Sequence, residues 1–180
     1  MIPIRERPPL VTNFRQWIFV RENFLSKELC DSLISYSLNH SLKIPNYQWK
    51  SSFLTCRLSN DHEVHNTLNH LWIEAIDFFG SKINFIEEYY INTYKTGDHF
   101  DIHIDNYLGL VNRLDRKLSM SVQLSDSTDY SAGDFEIAGV KMTRARGSVI
   151  IFPSNFKHSV NLITSGTRYS LFTWAWGPFF

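Results

Sequence analysis

The chain has 180 residues, 43% hydrophobic and 15% aromatic, and its eighteen basic and eighteen acidic side chains cancel to zero net charge. That length suits one domain around one core, and that composition excludes a disordered chain. A neutral chain has no overall field to draw nucleic acid or an anionic membrane, so neither is expected as a partner.

Residues 1–15 carry three of the six prolines and read as an extended arm. They contain no apolar core of signal-peptide length, and no run in the chain is long enough to span a bilayer. A cytoplasmic setting is therefore expected. Gln16-Trp-Ile-Phe-Val20 reads as a short strand. Ser26 as N-cap and Glu28 in the first turn predict a helix to about Asn39, with Leu29, Leu33, Tyr36 and Ser37 at helical spacing. Residues 41–51 read as a loop around Pro45, and residues 53–58 as a strand. Asn60-Asp61 opens a second helix with an apolar stripe of Val64, Leu68, Leu71, Trp72, Ala75, Ile76 and Phe79, stopped by Gly80. His62, His65 and His70 lie on or near it without a carboxylate or Cys set to complete a metal site. They read as exposed or capping side chains. Cys30 and Cys56, two isolated cysteines, are too few for a disulfide framework and read as buried thiols.

From Ile83 the pattern turns to strands. Residues 86–94 are β-rich. Residues 117–124 alternate strictly, with Leu118, Met120, Val122 and Leu124 against Lys117, Ser119, Ser121 and Gln123, the mark of a half-buried strand. Residues 125–133 read as a loop, and short strands are expected at 134–137, 148–152, 158–163 and 168–176. The basic cluster Lys141, Arg144 and Arg146 reads as a solvated loop, and Trp174 and Trp176 read as core packing ahead of pocket wall. Two helices before seven or eight short strands predict a mainly β protein with flanking helices (α+β). The architecture expected is a jelly roll with the N-terminal helices packed outside. One domain is expected over residues 1–180, with 1–82 as arm and support and 83–177 as the core carrying the site.

Residues 98–105 hold two His and three Asp. In an extended strand, residues i and i+2 share a face, so His103 and Asp105 can aim at one point. His158 supplies a second imidazole from a distant strand. A His-x-Asp pair with a remote His is the facial triad that suits Fe(II) and leaves positions open. His99-x-Asp101 is a competing pair, and on a straight strand all four residues would share a face. Asn106-Tyr-Leu-Gly109 follows the second pair, which puts His103 and Asp105 at the strand's mouth and His99 and Asp101 deeper or on a twisted loop, with His99 supporting the ligands from behind. Arg168 adds a planar fork that holds a carboxylate through two parallel hydrogen bonds.

The order Tyr94-x-x-Gly97, Phe100-x-x-His103-x-Asp105, Lys117-Leu-Ser, Ala132-Gly133, Gly147-Ser-Val-Ile-Ile-Phe-Pro153, His158-Ser-Val160 and Gly166-Thr-Arg168-Tyr-Ser170 resembles the prolyl-4-hydroxylase-like branch of the Fe(II)/2-oxoglutarate-dependent dioxygenases, over roughly residues 85–177. The resemblance implies a double-stranded β-helix, a distorted jelly roll. It implies His103, Asp105 and His158 as iron ligands and Arg168 on the distal carboxylate of 2-oxoglutarate. Ser170 and Tyr94 would add a hydroxyl and a phenol. Gln123 falls where many relatives carry a Tyr on the same carboxylate. The implied cofactors are Fe(II), 2-oxoglutarate and O2, with ascorbate supportive. The implied reaction converts 2-oxoglutarate to succinate and CO2 while an unactivated C–H bond is hydroxylated, in a prolyl-type side chain of a peptide or protein. A nucleobase or small-molecule oxygenase is the alternative within the class. Asn92-x-Tyr94-x-x-Gly97 is similar to dealkylases too, but only one Arg follows His158. A non-catalytic metal- or ligand-binding jelly-roll module is the alternative outside it, against which the intact ligand set argues. Residues 106–116, with Gly109, read either as a lid carrying Arg113 and Arg116 to a substrate or as a connecting loop.

Overall fold

A computed structural model of the chain describes residues 14–40, 42–43, 54–59, 62–106 and 113–179. The arm over 1–13, the helix-opening Asn60-Asp61, most of the 41–51 loop and residues 107–112 of the expected lid lie outside the described residues. A single 3-10 turn, Phe14–Trp17, precedes β1, Phe19–Arg21, so the stretch from Gln16 is strand only in its second half. Helix α1, Lys27–His40, begins where the capping residue put it: Ser26 Oγ accepts the Leu29 N–H at 3.2 Å. Strands β2, Leu42–Lys43, and β3, Leu54–Arg57, follow. Helix α2, Val64–Phe79, buries Val64, Leu68, Leu71, Trp72 and Ala75, and Gly80 ends it in the left-handed conformation at φ 58°. Val64 N–H donates to His62 Nδ1 and His65 Nε2 bonds the Ser59 carbonyl, so these two histidines secure the start of the helix.

The β-rich stretch after Ile83 divides into β4, Phe85–Ile86, and β5, Tyr90–Lys95. Next come β6, Phe100–His103, and β7, Leu114–Gln123. Strand β7 starts three residues before the alternation does, which makes Arg116 a strand residue and not part of a loop. Then follow β8, Tyr130–Ala132, inside the stretch expected to be a loop, β9, Phe135–Ile137, and β10, Val140–Lys141. The series closes with β11, Val149–Pro153, β12, His158–Val160, and the long β13, Ile163–Pro178.

All strand pairs are antiparallel and form two sheets. The larger runs β1-β11-β7-β13-β5-β3-β2, with β4 and β8 also on β13; the smaller runs β10-β9-β12-β6. One face of the larger sheet packs on the helices: Leu33, Leu68, Leu71 and Trp72 meet Ile91, Leu118, Val122 and Leu171 in one core. Each such aliphatic side chain contributes about 1.5–3 kcal/mol on burial. The other face looks toward the small sheet, where Tyr94, Phe135, Ile150, Phe152 and Val160 form a second cluster. The jelly roll expected from the strand pattern is therefore present. The half-buried reading of β7 is not: Ser119 and Gln123 are only 2% and 4% exposed. Both faces of this strand are covered, and its polar alternates look into the space between the sheets.

One turn ties the helix layer to the sheet. Gly147 has φ 75°, and a Cβ there would stand 2.1 Å from the Leu25 carbonyl oxygen. That close approach lets Leu25 N–H donate to the Gly147 carbonyl at 3.0 Å, pinning the entry of α1 to the β7–β11 side of the sheet. Cys30 and Cys56 are buried free thiols. No helix among the described residues is long and apolar enough to cross a membrane.

Candidate active site

Strand β12 pairs with β6 so that His158 stands opposite His103 while Val160 stands opposite Phe100. Two steps on β12 thus match three on β6, and the extra residue makes a β-bulge. A bulge shifts the side-chain phase by one residue. Phe100 and His103, three apart, consequently both line the same cavity. The straight-strand expectation for His99 and Asp101 fails for this reason. They lie in a separate shallow depression beside Ile102 and Leu162, half-exposed and within 3.3 Å of each other, not deeper in the site. Asp101 still contributes its main chain: its carbonyl meets His103 Nδ1 at 2.7 Å. His158 Nδ1 meets the Phe156 carbonyl at 2.9 Å in the same way. A carbonyl oxygen only accepts, so both Nδ1 atoms carry the proton and both Nε2 lone pairs face inward.

The inward lone pairs face Asp105. Its Oδ1 is 3.6 Å from His103 Nε2 and its Oδ2 is 3.3 Å from His158 Nε2. The three ligand atoms lie within 4.8 Å of one another, and among the described residues this is the one His/Cys/Asp/Glu group so arranged. Lone pairs and a carboxylate converging on one point repel unless a cation lies between them. Burial alone would raise the Asp105 carboxyl, but His158, when a second proton on Nε2 lets it donate, the Ser119 hydroxyl and a protonated His103 outweigh burial and hold the group well below the usual carboxylate range. Burial first, then the neighbouring His158, push His103 below its ordinary value, against the Asp101 carbonyl and Asp105. Both shifts favour the forms a metal needs, an anionic carboxylate and a neutral imidazole. Ser119 Oγ donates to Asp105 Oδ2 at 2.7 Å and lies 2.9 Å from Ser154 Oγ, while Asp105 N–H donates to the Ser154 carbonyl at 2.8 Å. Ser119, one of the polar alternates of β7, thus orients the carboxylate, a role its place in the alternation did not disclose.

Arg168 occupies the deep end, on β13. It is 2% exposed, Nη1 donates to Ser170 Oγ at 3.2 Å, and its buried Nε has no hydrogen-bond partner. It forms no ion pair among the described residues. A buried guanidinium with one neutral partner is costly unless an anion completes it. Tyr94 lies beside it, with Arg168 Cζ 5.5 Å from its ring centroid. The Tyr94 hydroxyl accepts from Asn92 Nδ2 at 3.1 Å, and Asn92 Oδ1 accepts from Thr55 at 2.6 Å. Burial pushes the Tyr94 phenol up to about 12, Arg168 and Asn92 opposing, so it remains a neutral hydroxyl. Gln123 stands opposite Ser170 in register, yet its amide donates to the Ser125 carbonyl at 3.2 Å and the Tyr130 hydroxyl at 3.0 Å, and it does not line the cavity.

The cavity holds about 590 Å³, a volume typical of a small-molecule site. It runs from Arg168, Ser170, Tyr94 and Asn92 past the triad to Tyr90, Phe172, Trp174, Arg116 and Glu87. Trp174 is therefore wall, contrary to the core-packing expectation. Trp176 is buried off the cavity with Nε1 on Glu87 Oε2 at 2.7 Å. Asn106, next to Asp105, also lines it, and its buried Oδ1 has no hydrogen-bond partner. The basic cluster is solvated at Lys141, 65% exposed, but its two arginines are largely covered and paired. Lys141 and Arg144 share Asp134 at 2.6 and 3.7 Å, Arg144 stacks on Tyr130, and Arg146 pairs with Asp31 of α1.

The fold has counterparts among known proteins. The model of the 2OG-Fe(II) oxygenase superfamily matches residues 89–176. A PKHD-type hydroxylase of Pseudomonas fluorescens is 34% identical over 92 residues, a match that takes in 47% of this chain and 41% of the relative's own length. The viral collagen prolyl hydroxylase of Paramecium bursaria Chlorella virus-1, solved with 2OG, superposes with a TM-score of 0.73 at 16% identity, over 89% of this chain and 96% of that one. A prolyl hydroxylase of Trichoplax adhaerens, solved with a peptide fragment of hypoxia inducible factor, superposes with a TM-score of 0.63 at 15% identity, over 89% and 83%.

Proposed function

We propose that this chain is a 2OG-Fe(II) oxygenase that hydroxylates an unactivated C–H bond, most naturally a prolyl-type side chain in a peptide or protein, converting 2-oxoglutarate to succinate and CO2. The observation that carries the reading is the buried Arg168, without an ion pair among the described residues, in the same cavity as the inward-facing triad. The donor set fits Fe(II): two neutral imidazoles and one carboxylate on one side, with room on the other. His103, Asp105 and His158 would hold the ion. Arg168 and Ser170 would take the distal carboxylate of 2-oxoglutarate, with Tyr94 beside them, while Gln123 holds the wall through Tyr130. When bound, Fe(II) with 2-oxoglutarate and O2 supplies the oxidising chemistry, and ascorbate would support it.

The rest is done by the chain's own side chains. The Asp101 and Phe156 carbonyls fix the two imidazole tautomers and ring directions. Ser119 and Ser154 keep the Asp105 carboxylate aimed inward. The aromatic set Tyr90, Phe172 and Trp174 lines the cavity beside the triad and would shield a bound substrate from water there. Collagen and a hypoxia-inducible-factor peptide appear in the names of the two similar structures, which supports a peptidyl substrate here. The test is incubation of the full chain with Fe(II), 2-oxoglutarate, ascorbate and a panel of proline-containing peptides, read as succinate and as one added oxygen on the peptide. His103→Ala and His158→Ala should abolish metal binding and succinate formation. Retention of metal by both variants would remove the triad. Arg168→Lys keeps the charge but loses the fork, so 2-oxoglutarate affinity should fall by about 1–3 kcal/mol with metal affinity held. An unaltered affinity would remove Arg168 from the site.

A further inference from the structure

A row of buried polar side chains crosses the larger sheet beside Arg168. Thr55 on β3 stands opposite Asn92 on β5, Asn92 opposite Ser170 on β13, and Ser170 opposite Gln123 on β7. Two residues along, and so on the same face, Arg168 stands opposite Tyr94. Thr55 comes from ahead of the stretch 85–177 over which the sequence resembles known oxygenases, yet it lines the same cavity as Asn92, Tyr94 and Arg168. Distances fix how the first members of the row are oriented. Thr55 Oγ1 and Asn92 Oδ1 are 2.6 Å apart, and Asn92 Nδ2 and the Tyr94 hydroxyl 3.1 Å. The shorter contact suits O–H···O and the longer N–H···O. A turned amide would bring its nitrogen to the shorter distance, too close for N–H···O. A carbonyl oxygen only accepts, so Thr55 donates to Asn92, and the Asn92 amide donates to Tyr94.

We infer that Thr55 is a positioning residue for the cosubstrate: its hydroxyl sets the Asn92 amide, and the amide turns the Tyr94 phenol to donate its proton to the carboxylate that Arg168 holds. The inference deepens the 2-oxoglutarate reading of this pocket and rests on it. The argument is one of donors and acceptors. A phenol that accepts from Asn92 sends its own proton to another partner. Arg168 offers only donors, whereas a carboxylate brought to Arg168 offers acceptors. Without the Thr55 hydroxyl, the buried Asn92 carbonyl would lose the bond that orients it, at the cost of a covered and unsatisfied acceptor. Turned over, the amide would present Oδ1 to Tyr94 and take the phenol proton for itself. The pocket would keep its guanidinium and lose one donor to the anion. Thr55 thus acts on the cosubstrate through two other side chains, from a strand beyond the one that carries Tyr94.

The test is a double-mutant cycle on the full chain loaded with Mn(II), with 2-oxoglutarate binding read by calorimetry and Mn(II) affinity measured separately. Thr55→Val keeps the branched shape and removes the hydroxyl. It should weaken 2-oxoglutarate binding by about tenfold and leave Mn(II) affinity unchanged. Thr55→Ser should restore wild-type binding. In a Tyr94→Phe background, Thr55→Val should cost nothing further, because the relay then has no phenol to turn. If Thr55→Val does not fold, Asn92→Ala breaks the same relay and is read in the same cycle. Unchanged 2-oxoglutarate affinity in a folded Thr55→Val overturns the inference. So does an equal loss in the Tyr94→Phe background, which would make Thr55 a packing residue. Absence of 2-oxoglutarate binding by the unmodified Mn(II)-loaded chain would instead overturn the hydroxylase reading, and the inference with it, so the two failures are distinguishable.

Discussion

At the scale of single residues, the site depends on side chains that touch no ligand themselves. Ser119 holds Asp105 Oδ2 at 2.7 Å from a fully covered position. Ser119→Ala should lower metal affinity by about ten- to a hundredfold, the usual effect of losing a group that orients a ligand. It should also cost about 1 kcal/mol of stability. Metal titration and thermal unfolding measure the two separately, and an unchanged metal affinity would show that Ser154 alone orients the carboxylate. A second residue-scale prediction concerns alkali. Burial raises the phenols of Tyr89 and Tyr94 to about 12, against the Trp72 indole N–H at Tyr89 and against Arg168 and Asn92 at Tyr94. Their unfolded value is the ordinary 10.0, so between the two pH values the folded state keeps protons that the unfolded state releases. The stabilising contribution is full below about pH 10 and is lost as pH rises toward 12. Urea midpoints should therefore fall across that window, and more shallowly in Tyr89→Phe. A fall of equal slope in that variant would remove Tyr89 from the account.

At the scale of elements, the bulge in β6 decides which His-x-Asp pair enters the cavity. Ile102, 64% exposed, belongs to the extra step. Deleting it removes little packing but restores a regular register, which should turn His103 out of the cavity. The expected result is a cooperatively folded protein with no metal binding. Retained metal binding in the deletion variant would mean that the bulge migrates or is unnecessary. This element also marks the limit of what the sequence discloses. Period-two logic aligned His103 with Asp105 correctly but also aligned His99 and Asp101, because a one-residue phase shift leaves no mark in residue type. The helices were legible from the Ser26 cap, the Gly80 stop and the apolar stripes, since those signals are local. The alternation of β7 was legible as well, whereas the destination of its polar face was not. Seryl and glutaminyl side chains look alike facing water and facing an enclosed site. The short β8 was hidden for a related reason: its pairing with β13 is set by a partner about thirty residues away.

At the scale of the whole molecule, the jelly roll places the Arg168 guanidinium and the His103, Asp105 and His158 cluster on one cavity. The sequence singled out His103, Asp105, His158 and Arg168, and it named Arg116 only as a loop residue, while the places of Glu87 and Asn106 on the cavity were invisible until distant strands met. A buried guanidinium without an ion pair among the described residues and three converging ligand atoms cost the fold stability, and ligands that satisfy them should return it. A ligand that binds only the folded state adds about 2.7 kcal/mol at a hundred times its dissociation constant. For a chain of this size each kcal/mol raises the melting temperature by about 2–4 °C. Mn(II) or Zn(II) should accordingly raise the midpoint by several degrees, and 2-oxoglutarate should add a second increment only when metal is present, because the keto acid spans both ends. Arg168→Lys should keep the metal increment and lose most of the second. His158→Ala should lose both. Differential scanning fluorimetry over the four combinations of metal and keto acid reads this directly. A 2-oxoglutarate increment that survives Arg168→Lys, or that appears without metal, would place the keto acid outside this cavity.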